Sequence, residues 1–364
     1  MFNRLTVRQK EILTGLCGLT LLLGLFAGSK IPVDIEQLPF IGMHLAEKQQ
    51  QSFDRKMKNA FYTQPGTGLR LAIPGAKYFP VQFNSRGFRG PELDDPLDPD
   101  VIHIGYMGSS LTLDRFSTPD ENSWPALTTQ YLGQAFPGCQ FTYQNAGIPG
   151  ANSRKLVAMY KEVISGFKPD IVVVMTDDRK ATLKELASQS GVRAGPEDAL
   201  DFTRDELLSQ YKQDLPHLLD TIKKSDAIPV LLSFSQVIRE NQSSEEQSRL
   251  VQKGGLSRLP FMSVEKFLRS AKWYNEINQE VAAAKTVTYI DWHGAVPGTR
   301  QNFLDLRHFK PRGSARLAEV LAEKMKNSPL FTKELVSRFG CAKYSILPTN
   351  QQHLYQESSL YASY

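Results

Sequence analysis

Apolar residues along this chain come in short runs separated by longer amphipathic stretches. Five runs of strand length, rich in β-branched and aromatic side chains, occupy residues 101–107, 141–144, 171–175, 228–234 and 287–291. Continuous apolar runs of this length, rather than alternating ones, are typical of strands that are buried on both faces of a sheet. The pattern therefore predicts five buried strands.

The stretches between these runs have the spacing of amphipathic helices. Apolar side chains recur every three or four residues, for example at Leu127 and Tyr131, at Leu156 and Tyr160, and at Leu215 and Leu218. Strands that alternate with helices predict a parallel α/β sheet with helices on both faces. In such sheets ligands bind beyond the carboxyl ends of the strands, and Ser110 follows the first run.

The first thirty residues carry a location signal. Arg4, Arg8 and Lys10 precede an uncharged, leucine-rich stretch at residues 12–27, and Lys30 closes it. Such a stretch is short for a bilayer span, but flanking lysines can reach outward to the membrane surface. Because basic residues stay inside, the pattern predicts an amino terminus in the cytoplasm and a main domain outside it.

Two interpretations of this segment remain. An uncleaved anchor would hold the protein in the membrane through residues 12–29, which is the interpretation we favour. Alternatively, the small residues Ala27-Gly28-Ser29 fit a cleaved secretory signal, and the protein would then be secreted. A buried core helix fits less well, because the stretch has no polar face.

These features divide the chain into four segments: a cytoplasmic tip and anchor at 1–29, a stalk and lead-in at 30–98, a sheet domain at 99–328 and a tail at 329–364. A protein partner would bind through the stalk or the tail. Within the sheet domain, the polar stretch at 239–253 predicts a solvated surface segment, with a lid over the site as the alternative.

Composition narrows the classes further. The 364 residues are 41% hydrophobic and 22% charged, as in a globular protein, and the net charge of +5 is spread without a block that would bind nucleic acid. The three cysteines form no C-x-x-C pair and have no histidine cluster nearby, so we expect no metal and no cofactor. Cys139 and Cys341 could pair in an exported domain, but free thiols are the default expectation.

The chemistry is concentrated at two distant places. Ser110 lies in the sequence Gly108-Ser109-Ser110 after the first strand, and Asp305 and His308 lie three residues apart near the end of the sheet domain. A serine hydroxyl becomes a strong nucleophile when an imidazole takes its proton, and a carboxylate orients that imidazole. These three side chains are the minimum set for acyl transfer.

Three segments in this order carry a family resemblance: residues 108–112 after the first strand, 145–150 after the second, and 305–308 before the last helix. The chain resembles the SGNH hydrolases, the GDSL esterase and lipase superfamily, over about residues 100–328. Residues 84–92 are similar to the lead-in of membrane-anchored and exported bacterial members. The resemblance implies a three-layer α/β/α, flavodoxin-like fold and hydrolysis of esters or acetyl groups.

The resemblance also implies a role for each site residue. Ser110 would be the nucleophile, and its main-chain N–H together with that of Gly150 would bind the oxyanion. His308 would take the proton from Ser110 and return it to the leaving group, while Asp305 orients the imidazole.

The chain departs from the family pattern at two places. Ser109 replaces an aspartate of structural importance, which we expect to be tolerated. In the third motif, residues 175–180 lack the asparagine that donates to the oxyanion, a loss that costs on the order of 10²–10³ in rate. If the motif is aligned without a gap, Arg179 takes the place of the asparagine and could donate a hydrogen bond as a cation. A short gap would instead place Asp177 or Asp178 there, and a carboxylate would repel the oxyanion. Alternatively this stretch is a solvated helix start capped by one of the aspartates.

The leading hypothesis is an extracytoplasmic serine esterase or deacylase that acts on an O-acyl or O-acetyl group of an envelope glycan, a lipid or a small ester. An acyltransferase with the same acyl-serine intermediate is one alternative. A binding or assembly protein that kept the fold but lost activity is the other.

Three further carboxylates lie at strand or loop ends. We expect Asp114, Asp120 and Asp291 to be structural.

Overall fold

A computed structural model describes residues 57–341 apart from 79, 95–96, 177, 192–199 and 255–262. The predicted anchor at 12–29, most of the predicted tail and Asp177 lie outside the described residues. In the part of the chain that is described, no helix combines the length and apolar character that a bilayer crossing requires.

Two small antiparallel hairpins open the described chain. Strand β1 (Phe61–Thr63) pairs with β2 (Arg70–Ala72), and β3 (Lys77–Tyr78) pairs with β4 (Val81–Gln82). Aromatic side chains fix the hairpins to each other, because the Phe61 ring packs edge-on against Tyr78 and Phe83. All three rings are buried, so the two hairpins are a packed part of the segment that we predicted to be a stalk and lead-in.

Five parallel strands form the main sheet, in the order β6-β5-β7-β8-β9. They are β5 (Val101–Gly108), β6 (Gln140–Gly147), β7 (Ile171–Met175), β8 (Ile228–Leu232) and β9 (Thr288–Ile290). Every residue of β7 and β8 is buried, as continuous apolar runs predict. The prediction of a five-stranded parallel sheet is confirmed, and this strand order is that of flavodoxin-like folds.

Helices cover both faces of the sheet. Helix α2, which follows β5, packs against α9, and α3, which follows β6, packs against α6. The described helices are α1 (Ser110–Leu113), α2 (Trp124–Ala135), α3 (Ser153–Glu162), α4 (Arg179–Gln189), α5 (Arg204–Leu208), α6 (Tyr211–Lys224), α7 (Ser244–Gly254), α8 (Val264–Lys285), α9 (Pro311–Asn327) and α10 (Pro329–Phe339). The polar stretch at 239–253 thus contributes a surface helix, α7.

The start of the predicted tail is instead a folded element. Helix α10 buries Phe331 and Leu335, and the Phe331 ring packs against Phe136 at the end of α2. This packing brings Cys341 to Cys139, and the two form a disulfide with a Cα–Cα distance of 5.6 Å. The expectation of free thiols is wrong for this pair, because their proximity depends on the packing of α10 rather than on their spacing in the sequence.

Candidate active site

Ser110, His308 and Asp305 form a continuous hydrogen-bonded chain. The Oγ of Ser110 lies 2.8 Å from Nε2 of His308, and Nδ1 of His308 lies 2.7 Å from Oδ2 of Asp305. The other oxygen of Asp305 accepts hydrogen bonds from the main-chain N–H groups of Arg307 and His308. Folding therefore brings Ser110 to His308 and Asp305, which lie about two hundred positions later in the sequence.

The carboxylate of Asp305 is held in its ionised form. Burial by itself would raise the pKa of Asp305, but the bond to His308 and the two main-chain N–H donors outweigh burial. The pKa of Asp305 is therefore well below its ordinary value. Since an ionised carboxylate accepts the Nδ1 proton of His308, Nε2 is left to accept the proton of Ser110.

The turn that carries Ser110 leaves no room for a side chain at Gly108, two residues earlier. A Cβ on Gly108, the last residue of β5, would lie 2.1 Å from Oγ1 of Thr112 and 2.3 Å from the carbonyl oxygen of Met175. A Cβ on Gly147, at the end of β6, would lie 2.2 Å from the main-chain nitrogen of Leu113. Helix α1, which begins at Ser110, thus rests directly on the ends of the two neighbouring strands.

Arg89 supports the loop that follows α1. Its guanidinium is fully buried and donates to the carbonyl oxygens of Leu113, Asp114 and Ser117, while its Nε donates to Asp120 at 2.8 Å. Arg89 lies in the segment predicted to be a stalk and lead-in, and its sequence position alone did not indicate this role. The signal available was an arginine within the apolar sequence Gly-Phe-Arg-Gly.

Asp114 lies at the C-cap of α1 and has a structural role there. It adopts a left-handed backbone conformation, and its Oδ2 accepts the main-chain N–H of Trp124 at 3.0 Å. Burial raises the pKa of Asp114 to about 6, although the nearby Arg89 opposes this. The pKa of Asp114 is therefore raised by burial in the core and not by contact with the triad.

Two main-chain N–H groups are available for an oxyanion. Gly150 has a φ of 79° in the turn after β6, a conformation that suits glycine, and it is exposed between buried neighbours. Within the described residues, neither the N–H of Gly150 nor that of Ser110 has an acceptor. Both groups can therefore donate to a ligand, as the sequence resemblance implies.

The third motif is used for structure. Asp178 was considered for the place of the missing asparagine or as a cap of its own helix. Its carboxylate instead accepts the main-chain N–H of Ser153 at 2.9 Å, and so caps α3, the helix that begins just after Gly150. Asp178 thereby fixes the chain that carries Gly150.

Arg179 extends toward β8 instead. Its NH1 donates to Oε1 of Gln236 at 3.1 Å, and its guanidinium stacks on the rings of Phe234 and Phe267. Phe234 follows β8, whereas Ser110 follows β5 on the opposite side of β7. These contacts give the buried cation a packing role.

In the described part of the chain, no three His, Cys, Asp or Glu side chains lie close enough together to bind a metal ion.

The sheet order and the serine–histidine–aspartate geometry are those of the SGNH hydrolase class. The chain belongs to the GDSL-like Lipase/Acylhydrolase family, whose model matches residues 106–316. No curated protein is similar to the chain.

Among solved structures, the chain is similar to Axe2, an acetylxylan esterase from Geobacillus stearothermophilus, with 15% identity, a TM-score of 0.41 and coverage of 64% of this chain and 94% of that chain. It is also similar to LAE5, an alpha/beta hydrolase enzyme from the metagenome of Lake Arreo, Spain, with 16% identity, a TM-score of 0.43 and coverage of 61% and 94%. At these levels of similarity neither structure informs the function of this protein.

Proposed function

We propose that the protein is a serine esterase that removes an O-acyl group through an acyl-enzyme on Ser110. The observation that supports this most directly is the chain of hydrogen bonds from Ser110 Oγ through His308 to Asp305. If His308 served only for packing, it would have no need of a serine hydroxyl beside it at the carboxyl end of a parallel strand.

In the proposed reaction, His308 accepts the proton of Ser110 as Oγ attacks the ester carbonyl carbon. The N–H groups of Ser110 and Gly150 bind the oxyanion, and Asp305 stabilises the imidazolium. His308 then protonates the leaving alkoxide, and the ester C–O bond breaks. A water molecule, deprotonated by His308, attacks the acyl-serine and releases the carboxylic acid and the free serine.

We further propose that the enzyme is of the membrane-anchored bacterial type and acts outside the cytoplasm. The apolar segment at 12–29 with its basic flank supports an anchor, with a cleaved signal as the alternative. The disulfide between Cys139 and Cys341 supports an oxidising compartment, since such bonds are rare in the cytosol. An exported deacylase would meet O-acyl and O-acetyl groups of envelope glycans, lipids and small esters.

The test uses the full-length chain in a neutral detergent. A fluorophosphonate probe should label Ser110 in the active protein, and hydrolysis of p-nitrophenyl acetate should accompany the labelling. Ser110→Ala should abolish both, and His308→Ala should reduce both by at least about 10³-fold because the serine loses its base. Ser109→Ala is the matched control and should keep the label.

The opposite result would be a folded wild-type chain that neither takes the probe nor hydrolyses the ester. That outcome would overturn the esterase proposal and favour a binding or assembly protein. Circular dichroism on each variant separates a loss of chemistry from a loss of fold.

A further inference from the structure

Arg70 lies beside the proposed oxyanion site. It is exposed on β2, and its NH1 donates to the carbonyl oxygen of Pro149 at 3.2 Å. A Cβ added to Gly150 would meet nothing within 4 Å except NH1 of Arg70, at 3.9 Å. The space at the Cα of Gly150 is therefore open and bordered by a guanidinium.

Arg115 lies just after α1, among aromatic side chains. Its guanidinium carbon is 4.8 Å from the centre of the Tyr78 ring and 4.5 Å from that of Phe116. The Phe116 ring in turn packs edge-on against the imidazole of His308, with 5.8 Å between ring centres. One aromatic ring thus separates the cation of Arg115 from the proposed base.

Tyr78 lies within the electrostatic influence of both arginines. Burial raises the pKa of the Tyr78 phenol, while the positive charges of Arg115 and Arg70 both oppose this rise. Lys155 adds a third cation, since it lines a shallow depression together with Arg70 and Gly150. Arg70 and Lys155 therefore lie beside Gly150, while Arg115 lies near His308, with the Phe116 ring between them.

Some cations elsewhere in the described part of the chain have a carboxylate partner. Arg89 pairs with Asp120, Lys285 pairs with Asp220, and Arg316 pairs with Glu319. Among the described residues, Arg70, Arg115 and Lys155 have no carboxylate within ion-pair distance. Like charges held together without counter-ions repel one another, and a bound anion would relieve that repulsion.

We propose that Arg70 and Arg115 recognise an anionic group on the ester substrate, a carboxylate or a phosphate, with Lys155 adding to the positive field. Arginine suits this role because its planar donors match the oxygen pairs of both anions. The inference rests on the proposed esterase function and narrows its substrates to esters that carry negative charge.

The experiment compares three acetate esters: neutral methyl 4-acetoxybenzoate, 4-acetoxybenzoate, and 4-acetoxyphenyl phosphate. Acetate release is measured with the full-length chain in a neutral detergent. At low salt, kcat/KM should be higher for at least one anionic ester than for the neutral one, and the anion that is preferred identifies the group recognised. Salt should weaken this preference, because the charges are close to solvent.

Variants assign the preference to the two arginines. Arg70→Gln and Arg115→Gln should each lower kcat/KM for the anionic ester by about tenfold more than for the neutral ester, the typical effect of one charged hydrogen bond in partial contact with water. Arg70→Lys and Arg115→Lys should retain most of the preference, since they keep the charge. Arg316→Gln removes an exposed arginine of α9 and is the matched control.

Equal kcat/KM for neutral and anionic esters, or variants that lower both equally, would overturn the anion site and leave the esterase proposal intact. Absence of hydrolysis of all three esters together with absence of fluorophosphonate labelling would instead overturn the esterase proposal itself. If Arg115→Gln does not fold, Arg70→Gln, which changes an exposed side chain, decides the question.

Discussion

The side-chain Nδ2 of Asn145 donates a 2.8 Å hydrogen bond to the main-chain carbonyl oxygen of Thr112. The Oδ1 of the same amide accepts the N–H of Gly147 at 2.9 Å. One buried asparagine therefore fixes the end of β6 to the short helix that begins at Ser110. The second sequence motif, which we associated with the oxyanion through Gly150, also holds the proposed nucleophile in place.

The contact between that helix and the strand ends makes Gly108 sensitive to a single methyl group. Gly108→Ala should lower the free energy of unfolding by about 3 kcal/mol and reduce esterase activity, since the new Cβ meets Thr112 and a carbonyl oxygen in a rigid turn. Urea unfolding and hydrolysis of a neutral ester measure the two effects.

Gly133 provides the matched control, because it lies in α2 with no atom within 4 Å of an added Cβ. Gly133→Ala should raise the free energy of unfolding by about 0.5–1 kcal/mol and leave activity unchanged. Equal effects of the two substitutions would contradict the steric explanation.

Replacing the carboxylate of Asp305 should remove most of the activity without unfolding the protein. In Asp305→Asn the amide NH₂ group, a donor, can face Nδ1 of His308, where the imidazole needs an acceptor. We therefore expect kcat to fall by on the order of 10³–10⁴-fold. Steady-state kinetics on a neutral ester measures this. Asp291→Asn changes an exposed aspartate after β9 and should have no effect. A fall of less than about tenfold in Asp305→Asn would argue against the proposed role.

The buried Asp114 predicts a particular dependence of stability on pH. Its pKa is raised to about 6 in the folded chain, so between about pH 4 and pH 6 the folded state binds more protons at this group than the unfolded state. The contribution of Asp114 to the free energy of unfolding must therefore fall as pH rises through this interval.

Asp114→Asn removes that titration and keeps an oxygen for the N–H of Trp124. The stability of the wild type relative to this variant should decrease from pH 4 to pH 6.5, by on the order of 2–3 kcal/mol. Urea unfolding at a series of pH values tests this. A constant difference between the two proteins would show that the pKa of Asp114 is not raised.

The disulfide can be tested by counting reactive thiols. The chain has three cysteines, and Cys139 and Cys341 are joined. The denatured protein isolated without reductant should therefore expose one reactive thiol, that of Cys17, and reduction should expose all three. Three thiols before reduction would contradict the bond.

Much of the fold followed from the sequence because the relevant signals are local. Continuous apolar runs located the five strands, and the i, i+3 spacing of Asp305 and His308 indicated side chains that can reach one another. The order of these motifs along the chain was enough to select the three residues that the structure joins.

The features that sequence analysis missed depend on partners far away in the chain. Asp178 lies next to its own helix, yet it caps α3 through Ser153, which lies 25 positions earlier. The spacing of 202 residues between Cys139 and Cys341 gives no information about their distance. Tertiary packing decides such contacts, and no local periodicity reports it.

Arg89 lies outside the residues that match the family, 106–316, yet its guanidinium holds three carbonyl oxygens beneath the serine turn. A shortened gene product that started at residue 99 would leave these oxygens without their donor in the protein interior. One that stopped at 328 would lose α10 and Cys341 as well. The smallest folded unit that keeps the proposed site therefore extends at both ends beyond residues 106–316, and truncation to those residues would remove the support of the loop that follows Ser110 and α1.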